Sequence, residues 1–381
     1  MVLELEHVHL VHRHGERTPL LYGPHDKTNW NLCHRASKIS HTIPSNAPTL
    51  MDKARSLINY LKTGQAEPMH FNVVVSSGRE FNCAPGQLTD AGRANLFNLG
   101  TWFREKYLEK SGLISPAFKK EEFFLRSTNF QRTLESLQSL MQGMYRTYSG
   151  SLDVEVRDLT ADTLGCNRHC PKLKTMKAAS HKNVNQAFSS KAKEIKEYFS
   201  RAYNSHLSSL SPYAIYELVA SSRAHGFSRF KHVPSTVMKD LEEYSINLWF
   251  KHLNDPSALS LETGCLLKEI SDQMVEKATN ANPRKVSIYS AHDVTIYPLL
   301  MAMGSHTKKW PKFGANLIFE MHKNQQTGER YVQMRYNGER VPIPKCASLH
   351  QEEKGLCPLE DFVRICNDTY MSNFSEACLE E

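Results

Sequence analysis

Val8-His9-Leu10-Val11-His12-Arg13-His14-Gly15-Glu16-Arg17-Thr18-Pro19 brings an apolar run, three histidines, two arginines, a glycine and a proline together near the start of the chain. The apolar alternation leads into Arg13-His14-Gly15 and Pro19 closes the run, which predicts a buried strand opening into a tight loop. In α/β proteins, ligands bind where such strands end. The charges of Arg13 and Arg17 disfavour a protonated His14, so its ring stays neutral and keeps a lone pair. A neutral imidazole among fixed cations is a nucleophile suited to an anionic electrophile, and phosphate is the obvious one. The rival reading of this stretch alone is an ordinary basic loop at a strand end.

Two further strand ends carry polar residues of the same kind. Phe123-Phe124-Leu125 predicts a strand that ends at Arg126-Ser127-Thr128, before a helix with Leu134, Leu137, Met141 and Met144 on one face. Val286-Ser287-Ile288-Tyr289 predicts another, ending at Ser290-Ala291-His292-Asp293 with a helix beginning around Thr295. Between these, Gly86-Gln87-Leu88-Thr89 introduces a helix whose apolar stripe is Leu96, Leu99, Phe103 and Tyr107, with Thr89 as its cap. Residues 20–50 are expected to form a loop, 51–62 a short helix, Phe71–Ser76 a strand and 153–159 a further strand from Val154 and Val156. Leu317-Ile318-Phe319 and Tyr331 to Tyr336, separated by a turn at Thr327-Gly328, predict a hairpin, and a short helix is expected over 359–366.

From about residue 161 the composition shifts toward Lys, Ser, His and Asn. Phe188, Ala192, Ile195, Phe199 and Ala202 mark an amphipathic helix, and helical patterns over 212–220, 237–250 and 264–277 follow. This is a helical insertion, and the lysines of 172–196 alternate with Glu194 and Glu197 as on a solvated helix face.

At 381 residues the chain is long enough for two domains or one domain with a large insertion. With 40% hydrophobic and 23% charged residues, it has a globular composition. A net charge of +7 favours anionic ligands, but no zinc-finger spacing, RNP-like run or dense basic helix points to nucleic acid. No segment is long and apolar enough for a membrane span, and Met1–Val11, broken by Glu4, Glu6, His7 and His9, is not a signal sequence. Nine cysteines, with sequons at Asn367-Asp368-Thr369 and Asn373-Phe374-Ser375, suggest the secretory pathway, with the targeting segment expected outside this sequence and the cytoplasm as the alternative.

A phosphate dianion needs donors for its oxygens, a nucleophile in line, and an acid for the departing oxygen. Arg13, Arg17, Arg126 and His292 can supply the donors, His14 the nucleophile and Asp293 the acid. A metal site is the rival, but strand alternation puts His7 and His9 on the opposite face from His12 and His14, and Arg13 would repel a cation. Cys166 and Cys170 with His169 lack a second ligand pair for zinc and are better read as disulfide partners. No G-x-S-x-G and no P-loop occurs.

Arg13-His14-Gly15-Glu16-Arg17-Thr18-Pro19 resembles the R-H-G-x-R-x-P signature of the histidine acid phosphatases, branch 2 of the histidine phosphatase superfamily, and Ala291-His292-Asp293 resembles its later His-Asp. Gly86-Gln87-Leu88-Thr89, Arg126-Ser127-Thr128 with Arg132-Thr133, and Cys357-Pro358-Leu359-Glu360 follow in the family's order, although Asn129 stands where many members have Asp. The resemblance implies an α/β fold with a Rossmann-like three-layer α/β/α core and an inserted helical cap: core 1–160, cap 161–260, and core with a cysteine-containing tail 261–381. It implies a phosphohistidine on His14, phosphate held by Arg13, Arg17, Arg126 and His292, proton donation by Asp293, and no metal or other cofactor. Cys170 with Cys378 and Cys346 with Cys357 are the candidate disulfides. Tyr289–Thr295, Phe313–Glu320, Tyr336-Asn337-Gly338 and the long 31–85 segment resemble members acting on a phosphorylated sugar of a glycan in the Golgi, so the expected partner is a phosphorylated small molecule or glycan. The alternatives are a broad or lysophospholipid-directed acid phosphatase and, without catalysis, a glycan-binding member of the family.

Overall fold

Alternation along β1 (Leu3–Arg13) sends Val8 and Leu10 to one side and Val11 to the other, and both sides are buried. A strand buried on two faces belongs inside a sheet covered by helices. Here β1 lies parallel to β3 (Val286–Ala291), which lies parallel to β2 (Phe123–Ser127). On its other side β1 pairs antiparallel with β4 (Asn316–Asn324), and β5 (Arg330–Tyr336), β6 (Glu339–Val341) and β7 (Leu356–Pro358) add further antiparallel pairs. The sheet order is β2-β3-β1-β4-β5-β6, with β7 also on β5. This computed structural model describes residues 2–21, 28–30, 32–33, 83–158, 161–165, 170–203, 206–306, 308–346 and 355–379. The helix expected over 51–62, the strand over 71–76, most of the 20–50 loop, Cys166 and His169 lie outside the described residues.

On one face, Leu96 and Phe103 of α1 (Asp90–Arg104) and Leu137 and Leu140 of α2 (Gln131–Met144) pack on Val8, Leu10, Leu125 and Ile288. Thr89 caps α1 by accepting from the Gly92 amide. The chain then forms α3 (Pro171–Ala187), α4 (Ser189–Tyr203), α5 (Pro212–Ala224) and α6 (Ser235–Phe250). Ile195, Phe199, Ile215, Leu218, Phe230 and Leu241 of this region cluster with Trp30, apart from the sheet's two cores. The other face of the sheet is covered by α7 (Pro256–Ala278), α8 (Asp293–Ala302) and α9 (Leu359–Thr369), through Leu266, Ile270, Ile296, Leu299 and Phe362. The fold is therefore the three-layer α/β/α arrangement.

The strand expected over 153–159 is reduced to one bridge, in which Glu155 exchanges backbone hydrogen bonds with Leu125 and Ser127 at the edge of β2. Val156 is exposed, so the alternation there has no second layer to bury. Cys170 is bonded to Cys378 and Cys346 to Cys357, with Cα separations of 4.7 and 5.8 Å; a third disulfide, Cys33–Cys83, was not anticipated. Three disulfides fit a protein of an oxidising compartment.

Topology fixes where a site can form. β1 leads to α1 on one face, whereas its neighbour β3 leads directly to α8 on the other. Adjacent parallel strands whose connections diverge leave a crevice at their carboxyl ends.

His7, His9 and His12 are fully buried along β1. Burial pushes His7 down to about 3, helped by repulsion from Lys277 and Arg284, and His12 down to about 4. An unfolded histidine takes up its proton near 6.5, whereas these rings stay neutral well below it. Their contribution to stability is thus complete above about pH 7 and is lost as pH falls from 6.5 toward 4, by up to about 1.4 kcal/mol per pH unit for each ring. Thermal melting should therefore drop between pH 7 and pH 5. Neither ring nitrogen of His9 bonds to a described residue, so His9→Phe should flatten that drop; an unchanged slope in melting curves would contradict this.

Candidate active site

His14 is fixed by its backbone before its side chain comes into play. Its amide donates to Ala291 at the end of β3 (3.1 Å), and its carbonyl accepts from the Gly314 amide (3.0 Å). Gly15 donates to Ser136 Oγ of α2 (3.1 Å), and a Cβ on Gly15 would lie 2.3 Å from the Gly92 carbonyl oxygen, so only glycine lets α1 approach this loop. Residues 16–19 run against 86–89 through the backbone bonds Thr89 to Glu16, Thr18 to Gln87 and Gly86 to Pro19. That is what Gly86-Gln87-Leu88-Thr89 does: it buttresses the loop.

The loop faces a cavity of about 300 Å³ whose lining includes His14, Arg17, Thr128, Arg132, His292 and Asp293. Nδ1 of His14 lies 2.8 Å from the Gly15 carbonyl oxygen. A carbonyl can only accept, so this contact holds the hydrogen on Nδ1 and leaves the lone pair on Nε2. Burial, then Arg132, Arg13 and Arg17, push the ring's pKa well below its ordinary 6.5. His292, 5.6 Å from His14 between ring centroids, is pushed down to about 3 by burial and by Arg132, against the pull of Asp293. Its Nε2 lies 3.0 Å from Thr128 Oγ1. Both rings are therefore held in the neutral form.

Each signature arginine is held by an acid. Arg13 Nη2 is 2.7 Å from Asp293 Oδ2, its Nη1 donates to the Pro311 carbonyl (2.6 Å), and its guanidinium lies over Phe313 (4.2 Å). Arg17 is paired with Glu217 of α5, a carboxylate that also accepts from the Leu20 amide (3.0 Å) and Ser221 Oγ (3.2 Å). Asp293 accepts from Trp310 Nε1 (2.9 Å) and from the Val294 amide (2.9 Å). Burial raises the pKa of Asp293, but Arg13, the Trp310 hydrogen bond and Arg17 outweigh it and hold the carboxyl below its ordinary value.

Arg126 is the expectation that must be corrected. Alternation along β2 turns its side chain, like that of Phe124, toward α7 and away from the cavity. There it is fully buried, with Nη1 donating to Glu269 (2.6 Å) and Nη2 to Asp162 (2.8 Å) and Thr163 (2.9 Å). Its link to the site is indirect: Asp162 lines the cavity, and Arg126 neutralises it. The arginine that lines this cavity beside Arg17 is Arg132, in the first turn of α2. Sequence reasoning also assigned no part to Glu217, Trp310 and Phe313. Arg132 could have been found, since the first turn of a helix that follows a parallel strand faces the crevice; nothing in the sequence couples the other three to β1.

A second chamber of about 520 Å³ adjoins the first, sharing Arg17, Tyr213 and Asp293 with it. Tyr216, Trp310 and Phe313 give it aromatic walls, and Glu217 and Glu242 carboxylates. A larger cleft of about 790 Å³, beside Glu320 at the opposite end of β1, contains none of these groups.

The profile of the histidine phosphatase superfamily (branch 2) matches residues 4–337 of this chain. The chain is 27% identical to lysophosphatidic acid phosphatase type 6 of Bos taurus over 374 residues, covering 95% of this chain and 82% of that protein. It is also 27% identical to 2-phosphoxylose phosphatase 1 of Xenopus tropicalis over 387 residues, covering 94% and 73%. Among solved structures, the phytase of Citrobacter braakii superposes with a TM-score of 0.65 at 15% identity, covering 98% of this chain and 99% of that one, a likeness of fold.

Arg132 and Arg126 should separate in experiment. Arg132→Ala removes a charge-assisted donor worth ~1.5–3 kcal/mol, so it should weaken inhibition by inorganic phosphate about tenfold or more with little change in melting temperature. Arg126→Ala leaves Asp162 buried without its counter-charge, which costs about 3–5 kcal/mol, so it should lower the melting temperature sharply. The reverse pattern in paired inhibition and melting measurements would contradict both placements.

Proposed function

The chain belongs to branch 2 of the histidine phosphatase superfamily and is a phosphatase, and on that premise we propose that it hydrolyses phosphate monoesters through a phosphohistidine on His14. One observation carries this reading: a neutral His14 that keeps its Nε2 lone pair at a cavity flanked by Arg17, Arg132 and His292. Nε2 attacks phosphorus in line, the bond from phosphorus to the ester oxygen breaks, and Asp293 gives its proton to the leaving alcohol. Water then attacks phosphorus, the bond from phosphorus to Nε2 breaks and returns the lone pair to His14, the Asp293 carboxylate takes the water's proton, and phosphate departs. Arg13, Arg17, Arg132 and His292 hold the phosphate oxygens and meet charge that develops there.

The pair with Arg13 favours the ionised form of Asp293. An arriving dianion competes for that guanidinium and adds negative charge beside the carboxyl, and both effects raise its proton affinity. Substrate binding itself thus favours the protonated, neutral form of Asp293 that can act as the acid.

For the alcohol, we infer a phosphorylated sugar of a glycan, of the kind that the name 2-phosphoxylose phosphatase 1 states for a relative. Support comes from the second chamber beyond Asp293, where aromatic faces stand beside the carboxylates of Glu217 and Glu242. Aromatic rings pack on the apolar faces of sugars and carboxylates accept from their hydroxyls, whereas an acyl chain gains nothing from a buried carboxylate. The second reading, a lysophospholipid, draws support from Leu20 and Leu21, exposed at 40% and 65% near the cavity, and from the lysophosphatidic acid phosphatase relatives. A Golgi-lumen or secreted location belongs to the first reading, and the intact His14 and Asp293 speak for turnover over mere glycan binding.

Phosphate release from phosphoxylosyl glycans, lysophosphatidate and an aryl phosphate, measured side by side, tests the substrate; faster turnover of lysophosphatidate than of the sugar would overturn the glycan reading. Asp293→Asn tests the chemistry. An alkoxide leaves poorly unless protonated, so the loss on a sugar or alkyl phosphate should be on the order of 10²–10⁴-fold and far smaller on p-nitrophenyl phosphate. The wild-type rate should peak at acidic pH, and its alkaline limb should vanish in the variant. Equal losses on both leaving groups would remove Asp293 as the acid.

A further inference from the structure

The geometry around Asp293 points to Trp310 as a positioning residue: we propose that its indole N–H holds Oδ2 of Asp293 throughout the reaction, so that Oδ1 is the oxygen that carries the transferred proton. This inference rests on Asp293 being the acid. Oδ2 receives Arg13 Nη2 at 2.7 Å and Trp310 Nε1 at 2.9 Å, whereas Oδ1 receives only the Val294 amide at 2.9 Å, among the described residues. With two donors on Oδ2, the remaining lone pair of Oδ1 is the place for a proton.

The two donors are not equivalent. Arg13 is charged and lies where a phosphate would claim it, so it cannot both release the carboxyl for protonation and keep it oriented. An indole N–H carries no net charge and never accepts a hydrogen bond. It can stay on Oδ2 while Arg13 turns to the phosphate, keeping the carboxyl in place without forcing it to remain ionised. When the proton leaves Oδ1, the same N–H stabilises the carboxylate that forms.

Trp310 is itself fixed. Its amide donates to Glu242 Oε1 of α6 (2.9 Å), and its ring packs against Phe250, Tyr213 and Tyr216 at centroid distances of 5.1, 5.9 and 5.8 Å. Through Glu242 the helices outside the sheet layers thus aim the acid. The charged and titratable groups facing Asp293 are Arg13 and Arg17 from the signature loop, His292 beside it, and Tyr213 and Tyr216 from α5.

Trp310→Phe keeps the ring packing and removes the N–H. It should slow release from an alkyl or sugar phosphate by about tenfold or more, the effect of one lost hydrogen bond to a charged group. Turnover of p-nitrophenyl phosphate should change less than about threefold. Because the carboxylate loses a donor, the alkaline limb of kcat should move to higher pH. A structural role alone would lower the melting temperature and slow both substrates alike with the limb unmoved; that result would overturn the proposal. Glu242→Gln, which weakens the anchor without touching the indole, should give the same selectivity to a smaller degree and serves if the first variant folds poorly; because Glu242 also lines the chamber assigned to the sugar, the comparison there uses a simple alkyl phosphate against p-nitrophenyl phosphate, and equal slowing of both would also count against the proposal. Asp293→Asn run in parallel tells the failures apart: if Asp293→Asn discriminates between leaving groups and Trp310→Phe does not, only the part given to Trp310 falls.

Discussion

Cations gathered at a buried point before any anion has arrived are the condition this molecule has to satisfy. Arg13 and Arg17 are almost wholly buried, and an uncompensated charge in such a place costs several kcal/mol. The chain answers with its own acids: Asp293 on Arg13, Glu217 on Arg17 and, one step removed, Asp162 and Glu269 on Arg126. These acids come from the end of β3, from α5, from the segment after α2 and from α7. The helices beyond the sheet layers are therefore tied to the site by the need to balance charge as well as by packing.

That balance also shapes what the site can bind. On the proposed reading, a phosphate dianion replaces Asp293 on Arg13 and shares Arg17 with Glu217, so part of its attraction is offset by the pairs it disturbs. His14 gains from the same arrangement. The charges that attract phosphate also keep its ring neutral, and the Gly15 carbonyl settles which nitrogen holds the lone pair. Binding and activation thus have one physical origin.

How much of this was legible follows from what each signal depends on. Strand ends announced themselves because alternation over β1, β2 and β3 stops where Arg13, Arg126 and Asp293 stand or follow, and the α1 cap at Thr89 is a local matter of one side chain and one amide. Arg126 misled because its sequence position suits the crevice while strand parity turns it to Glu269. Arg132 stands beside Thr133 in the order of the family resemblance, and that order alone gives it no part. The segment Trp310–Ala315 brings an indole to Asp293, 17 residues away, and a carbonyl and a ring to Arg13, some 300 residues away, and no local pattern encodes any of these contacts. Glu217 escaped for the same reason, being one polar residue in an otherwise ordinary helix until the fold sets it against Arg17. Cys33–Cys83 went unread because spacing alone does not specify a pairing.

Everything above turns on His14 as the attacking group, and trapping the covalent intermediate tests that most directly. Rapid quench of the enzyme during turnover of a phosphate-labelled ester, followed by peptide mapping, should yield an acid-labile, base-stable phosphate on His14 that is absent from His14→Ala. Label on another residue, or label that survives in His14→Ala, would contradict the account.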